Sequence, residues 1–455
     1  MQRHTKAQDW INGSVQLRVR KRVLQFGITL HGKGEEFLMT NRAKHLAVQA
    51  TPNYTGPFIT VTALFFIFGF ITTLNMALVP HLRSVFSLDY AWAMLADSAF
   101  FLAYFIFSAP SSKLIEIIGY KRTMVVSLFV QVIGCLLFVF AAELVSFPLF
   151  LSAIFIVGAG VTALQTSANP YVTILGPEQS APARLTLAQA FNSIGAAVAP
   201  IVAGAFILMD TSSMSTMAQN AATVRTPYTL IAGGLLLLGI AVAFIRLPHI
   251  PQTQVFRPGR DDDPVLRRSI WRCRHTVLGT VGIFLYVGVE VGLASIAVNY
   301  FKLQGVSSAR TASFLVSLYW FGAMIGRLLG SWVVTKIKAG HLLGGCAVAA
   351  SLLVITSMIT SGQVAILTLV LCGTANSVMF PNIFALGVAG LGPLTSKGSG
   401  LIMTACVGGA VIPFLLGALA DRMGIQYALF LPALCYFFIA YYGFWGSKSQ
   451  PGAPS

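Results

Sequence analysis

The sequence predicts an all-α polytopic membrane protein, with twelve transmembrane helices in two six-helix halves. Three observations predict it. Of 455 residues, 56% are hydrophobic and 10% charged, against roughly 25% charged in a soluble protein. Apolar runs of about 20 residues, each enough to cross a hydrocarbon core of about 30 Å, recur twelve times between Pro57 and Gly446. The longest polar stretch between runs falls at the middle of the chain. A multidomain cytosolic enzyme, a secreted disulfide scaffold and a disordered chain are excluded. No alternation at about ten-residue spacing suggests an outer-membrane barrel.

Taken in order, residues 1–56 form a basic, mixed arm without a signal-peptide core. Its Gly27-x4-Gly32-Lys33-Gly34 lacks the hydroxyl residue of a phosphate-binding loop and is rejected as one. Met39 is an alternative start. The spans follow at 57–80, 92–112, 122–142, 147–170, 187–209 and 227–247. Residues 248–274 form a linker with Pro251, Pro258, Gly259, Asp261–Asp262–Asp263 and Pro264, read as a solvated charge run. The remaining spans lie at 275–299, 310–334, 341–361, 363–386, 399–420 and 427–446. The expected divisions are therefore arm 1–56, half 57–247, linker 248–274, half 275–447 and tail 448–455.

Charge orients the bundle. With the N-terminus inside, the cytoplasmic segments hold 25 of the 30 Lys and Arg, counting Arg327 among them. The other side holds Arg83, Arg225, Lys302, Arg310 and Arg422. The positive-inside rule then places both termini in the cytoplasm and accounts for the net charge of +16 without nucleic acid. Cys135, Cys273, Cys346, Cys372, Cys406 and Cys435 have no metal or disulfide spacing.

The halves repeat. Gly195, Pro200 and Gly204 in the fifth span match Gly408, Pro413 and Gly417 in the eleventh, and Ala168–Asn169 matches Ala375–Asn376. Parallel repeats suggest a ligand site between the halves near the midplane.

Polar residues inside spans mark candidate sites, because an acid at a helix centre costs about 2.5–3.5 kcal/mol. Two acids qualify. Glu290 lies deep in the seventh span, a proton or cation site or a structural acid. Asp97 lies nearer a membrane surface, where a plain structural role is favoured. In LQTSANPY, Gln165 and Asn169 share a helix face, and Pro170 ends or kinks the helix. In RLTLAQAFNS, Gln189 and Asn192 share another face. Facing carboxamides suit a polyhydroxylated ligand, since each hydroxyl donates and accepts; the plainer alternative is interhelical glue at about 0.6 kcal/mol a pair. Asn75, Asn299, Asn376 and Asn382 add polar candidates. Tyr286, four residues before Glu290, Tyr319 and Trp320 offer aromatic planes. Gly322, Gly326 and Gly330 permit close helix approach. No enzyme constellation, metal site or cofactor motif is found.

FGFITTLN (Phe68–Asn75), PHL (Pro80–Leu82), GYKR (Gly119–Arg122), LQTSANPYVTILGPE and RLTLAQAFNS resemble the fucose and glucose/galactose branch of the major facilitator superfamily. YVGVEV, NSVMFPNIFAL and GSGLIMTACVGGAVIP are similar to its glucose/galactose members. The resemblance covers about Pro57 to Gly446. It implies the major facilitator fold and a bacterial inner-membrane monosaccharide symporter working by alternating access. Glucose or galactose is the first expected substrate, and a monomer the expected state. It implies sugar binding by Gln189 and Asn192. Gln165 stands where fucose members carry a coupling glutamate. Met76 stands where they carry an aspartate after the first-span asparagine. Proton coupling through those positions is excluded, which leaves Glu290 for a proton or cation, with sodium-linked transport and simple facilitation both open. A non-transporting sugar sensor and an exporter of other small molecules are the alternatives.

Overall fold

The computed structural model describes residues 55–86, 90–206, 223–245, 247–248 and 269–448, without the side chains of 76–85, 90–98, 200, 203–206 and 309–310. The Gly27 motif, Met39, Asp97's side chain and the Asp261–Asp263 run lie outside the described residues.

Ten apolar helical stretches among the described residues are long enough to cross a membrane. One of them, 99–143, is a double crossing: helix Tyr90–Glu143 turns at Gly119, whose φ of 82° lies outside helical space. Glycine alone adopts that conformation cheaply. A further helix, Ala181–Phe206, supplies the fifth span, so the expected twelve crossings are present. The protein is a multi-pass membrane protein. Its outer helix faces carry Phe105, Phe140, Leu237, Phe244, Phe314 and Trp332, each more than half exposed. Such a surface suits lipid and would aggregate in water.

The second half has broken helices. The tenth span is two helices, Gly362–Asn376 and Met379–Val388. The eleventh runs Thr395–Thr404, a 3-10 turn Ala405–Val407, then Gly408–Met423. The twelfth ends in a π-helical turn, Tyr442–Gly446.

Glycines set where helices touch. A Cβ on Gly195 would overlap the Phe66 carbonyl of the first span, and one on Gly408 would overlap the Phe284 carbonyl of the seventh. Gly195 and Gly408 thus do the same work in both halves: each lets two backbones meet. Gly322, Gly326 and Gly330 press the eighth span onto Thr374, Ser377 and Val378 of the tenth. Gly158 and Gly160 pack on the second and third spans.

Five side-chain hydrogen bonds join 57–247 to 275–447 among the described residues. They are Ser112 to the Ser396 carbonyl, Ser396 to Glu116, Ser399 to the Thr166 carbonyl, Asn169 to Met403 and Arg327 to Ser193. The Arg327–Ser193 bond lies within the bundle, beside Glu290, and the other four lie toward the end that bears Lys113, Lys121, Lys336, Lys338 and Lys397. This is called the basic end below.

Candidate functional site

The fourth span begins at Phe147, after Pro148-compatible turn geometry at Ser146, and runs through Pro170 to Ile174. The expected end at Pro170 is therefore moved by a full turn. Proline lacks an N–H, so it leaves the carbonyl four residues earlier without its helical donor. That carbonyl is Thr166, and Ser399 of the eleventh span donates to it at 2.8 Å. Beyond Pro170, Arg184 ends the helix. Its Nε donates to the Val172 carbonyl at 3.1 Å, and its Nη2 to the Thr173 carbonyl at 2.6 Å. Gly176, at φ 126°, then turns the chain toward the fifth span.

Four of the predicted carboxamides stand on these two helices. Gln165 is 5% exposed and donates to the Tyr104 hydroxyl of the second span. Asn169 is fully buried. Its Nδ2 reaches Met403 Sδ at 3.5 Å, while its Oδ1 has no partner among the described residues. A buried acceptor without a donor costs about 1–3 kcal/mol, so this atom is a place where a ligand hydroxyl gains binding energy. The Gln189 carboxamide is 5% exposed, and no hydrogen bond from the described residues engages it. Asn192 is half-buried and holds the Phe65 carbonyl weakly, at 3.4 Å. No hydrogen bond links the fourth-span pair to the fifth-span pair, so their donors and acceptors are not satisfied by each other.

Asn75 is placed differently. Its Oδ1 accepts from the Tyr228 hydroxyl of the sixth span at 2.9 Å, and that ring lies 4.2 Å from Phe138 of the third. Ile71, one turn earlier, lines an apolar cleft with Phe70, Val202, Pro227 and Leu230. The structure joins Asn75 to the packing of the third and sixth spans and not to the other four carboxamides.

In the second half the charge is concentrated. Glu290 Oε1 lies 3.3 Å from Arg327 Nη2, with side chains 14% and 10% exposed. Arg327 had been counted with the cytoplasmic basic residues; it is instead within the bundle, which leaves the side-to-side split at 24 to 5. Pairing explains why it is tolerated there, since a buried charge without a partner is strongly destabilising. The same guanidinium donates through Nε to the Ser377 carbonyl at 3.2 Å and through Nη1 to Ser193 Oγ. Ser377 stands four residues before Pro381, so its carbonyl too lacks a helical donor.

Asn376 is fully buried and donates to the Tyr319 hydroxyl at 2.8 Å, while its carbonyl accepts from Tyr286 at 3.1 Å. Tyr319 meets Trp320 edge-on, with centroids 5.4 Å apart. Asn382 turns back on the Val378 carbonyl of its own helix, and Asn299 is exposed. No cluster of metal-ligating side chains occurs among the described residues.

Sequence reasoning missed Tyr104, Ser193 and Arg327. Arg327 had a usable signal: it is a cation inside an apolar run, and Glu290 is the second half's one deep acid. Tyr104 and Ser193 had none, because nothing in an apolar run distinguishes a tyrosine or serine facing an amide from one facing a backbone.

The profile of the Major Facilitator Superfamily matches residues 60–412. The glucose/galactose transporter of Brucella abortus (strain 9-941) is 43% identical over 416 residues, covering 90% of this chain and 98% of that protein. The L-fucose-proton symporter of Escherichia coli K12 is 31% identical over 405 residues, covering 84% and 91%. The crystal structure of FucP in the outward conformation superposes with a TM-score of 0.79 at 31% identity, over 87% of this chain and all of that one.

Proposed function

The chain belongs to the Major Facilitator Superfamily, and on that premise we propose that it carries a monosaccharide, glucose or galactose first, across the bacterial inner membrane together with a proton. It is a transporter and not an enzyme, and the halves 57–247 and 275–447 rock about a sugar held between them. The relatives named for glucose/galactose and fucose transport support the substrate class.

The observation that carries the reading is unsatisfied hydrogen-bonding capacity beneath a closed end. Among the described residues no hydrogen bond engages the Gln189 carboxamide and the Asn169 oxygen is orphaned, while four side-chain hydrogen bonds close the basic end and a fifth, from Arg327 to Ser193, joins the halves deeper in the bundle. A sugar hydroxyl can both donate to Asn169 Oδ1 and accept from Gln189. Gln165 and Asn192 complete the recognition surface, each with one amide group already held. Asn75 contributes by fixing the first span against the sixth.

With both termini cytoplasmic, the closed basic end is the cytoplasmic end, and its closure is what an outward-facing conformation requires. The neighbour solved in an outward conformation supports this. Glu290 is the coupling site. The guanidinium 3.3 Å away opposes any added positive charge at that carboxylate, so a coupling cation must displace the pairing to bind. The relative named L-fucose-proton symporter supports a proton over sodium. Uptake of labelled glucose into proteoliposomes, with imposed proton or sodium gradients and galactose, fucose and mannose as competitors, tests this. Accumulation driven by the proton gradient is expected. Accumulation driven only by sodium would remove the proton reading. Binding without flux would favour a sensor, and dye efflux an exporter.

A further inference from the structure

We infer that Arg327 is a positioning residue that transmits the charge state of Glu290 to the sugar-binding turn of the other half. The inference deepens the transport reading, and rests on it only for the identity of what is carried. The geometry is a three-way junction. One fork of the guanidinium meets Glu290 of the seventh span at 3.3 Å. Its Nε meets the Ser377 carbonyl, at the break in the tenth span, at 3.2 Å. Its other fork meets Ser193 Oγ of the fifth span. Ser193 in turn donates to the Gln189 carbonyl at 3.1 Å. One side chain thus links the coupling acid to the helical turn that carries Gln189 and Asn192.

Among the described residues, Arg327 is the only cation that bonds across the halves. The eighth span can bring it there because Gly326, its neighbour, lets the helix press against Ser377. Guanidinium is suited to the task, since its planar fork can direct separate N–H bonds at three partners, which a lysine ammonium on a flexible stem does not reproduce. The other titratable groups around the carboxylate are Tyr286 and Tyr319 from the second half's seventh and eighth spans and Cys406 from the eleventh. None of them carries a positive charge, so Arg327 alone responds by charge when Glu290 takes up a proton.

The sequence of events follows. With Glu290 ionised, the guanidinium is anchored, and its bond to Ser193 holds the fifth span against the second half and the basic end closed. A proton from outer water neutralises Glu290 and removes the anchor. Arg327 then loses the partner that fixed its position, and the Ser193 contact weakens. The basic end opens more readily. Release of the proton to the inner side restores the pair and draws Ser193 back.

The test uses the full chain in nanodiscs, with spin labels at Lys113→Cys and Lys397→Cys, both exposed at the basic end, and Cys273 and Cys346 replaced by serine. Distances across the basic end are read without sugar. In the parent protein the long-distance population is expected to rise at least about threefold as pH is lowered from about 9 to about 5, because an acidic medium favours neutralisation of Glu290. Glu290→Gln should show the long distances at every pH. Ser193→Ala, which leaves the Glu290–Arg327 pair intact, should lose most of the pH response, and Arg327→Lys should do the same. A parent-like pH response in both Ser193→Ala and Arg327→Lys would overturn the inference, as would a parent distribution that ignores pH. Because sugar is absent, failure of the sugar assignment shows separately: the distances would respond to pH while glucose and galactose did not bind.

Discussion

The fourth and tenth spans carry matching Ala–Asn pairs, yet they solve the same local problem differently. Each has a proline that frees a carbonyl inside the membrane. In the fourth span the helix continues to Ile174, and the freed Thr166 carbonyl is capped by Ser399 from the other half. In the tenth the helix breaks after Asn376, and the freed Ser377 carbonyl is capped by Arg327 from the same half. A neutral hydroxyl serves the half that carries Gln165, Asn169, Gln189 and Asn192, although orphaned carboxamide oxygens occur in the other half too, at Asn376 and Asn382. A cation serves the half with the deep acid. On the proposed function, the difference amounts to a division of labour: sugar recognition by carboxamides in the first half and charge handling by Glu290 and Arg327 in the second.

The largest effect that would break this comparison is at Glu290. Glu290→Gln should abolish accumulation against a gradient while sparing equilibrative exchange, measured as uptake with and without an imposed proton gradient. Removing the charge also strands Arg327, and breaking a buried pair costs about 3–5 kcal/mol, so expression and thermal stability should fall as well. Full accumulation in this variant would take charge handling out of the second half.

On the other side of the comparison, Gln189→Ala should weaken sugar binding at least about tenfold, which is about 1.4 kcal/mol. Asn192→Ala should do so to a similar extent. Calorimetric titration with galactose and glucose on normally expressed protein reads both. Unchanged binding in both would remove the fifth-span turn from the sugar site.

A smaller effect is expected where the halves meet through a neutral bond. Ser399→Ala leaves the Thr166 carbonyl without Ser399's hydroxyl. A neutral hydrogen bond is worth about 1 kcal/mol, so the open-to-closed ratio at the basic end should rise about fivefold. The rise should be independent of pH, because no ionisable group takes part in that bond. A pH-dependent rise would erase the distinction between the two proline caps.

The architecture was legible because lipid imposes one simple rule, an apolar length per crossing. The Gly195 and Gly408 repeat was legible too, since only glycine allows backbone contact of the kind seen at Phe66 and Phe284. Site residues were partly legible. Buried carboxamides such as Gln165 and Gln189 stand out against an apolar run, but spacing along one helix does not say which neighbour they meet. Arg327 was masked by a count that treats every basic residue near a span end as a loop residue. The helix past Pro170 was extended by Arg184, a partner that local sequence rules do not see.

Asn75 gives the smallest expected effect and sharpens the boundary of the sugar site. Its in-span position and polarity put it among the candidate ligands, on the same grounds as Gln165. The structure gives its oxygen to Tyr228 at 2.9 Å, beside the Phe138 ring. An interhelical bond of this kind is worth about 0.6 kcal/mol. Asn75→Ala should therefore change sugar affinity by less than about twofold while lowering the Tm of the purified protein slightly, since the loss is one interhelical bond. Tyr228→Phe removes the same bond from the other side and should lower Tm to the same degree; the double variant should add little, because both changes delete one interaction. A tenfold loss of sugar affinity in Asn75→Ala, with Tyr228→Phe unaffected, would return Asn75 to the binding surface. The sugar contact would then fall to Asn75 Nδ2, which has no partner among the described residues while Oδ1 holds Tyr228.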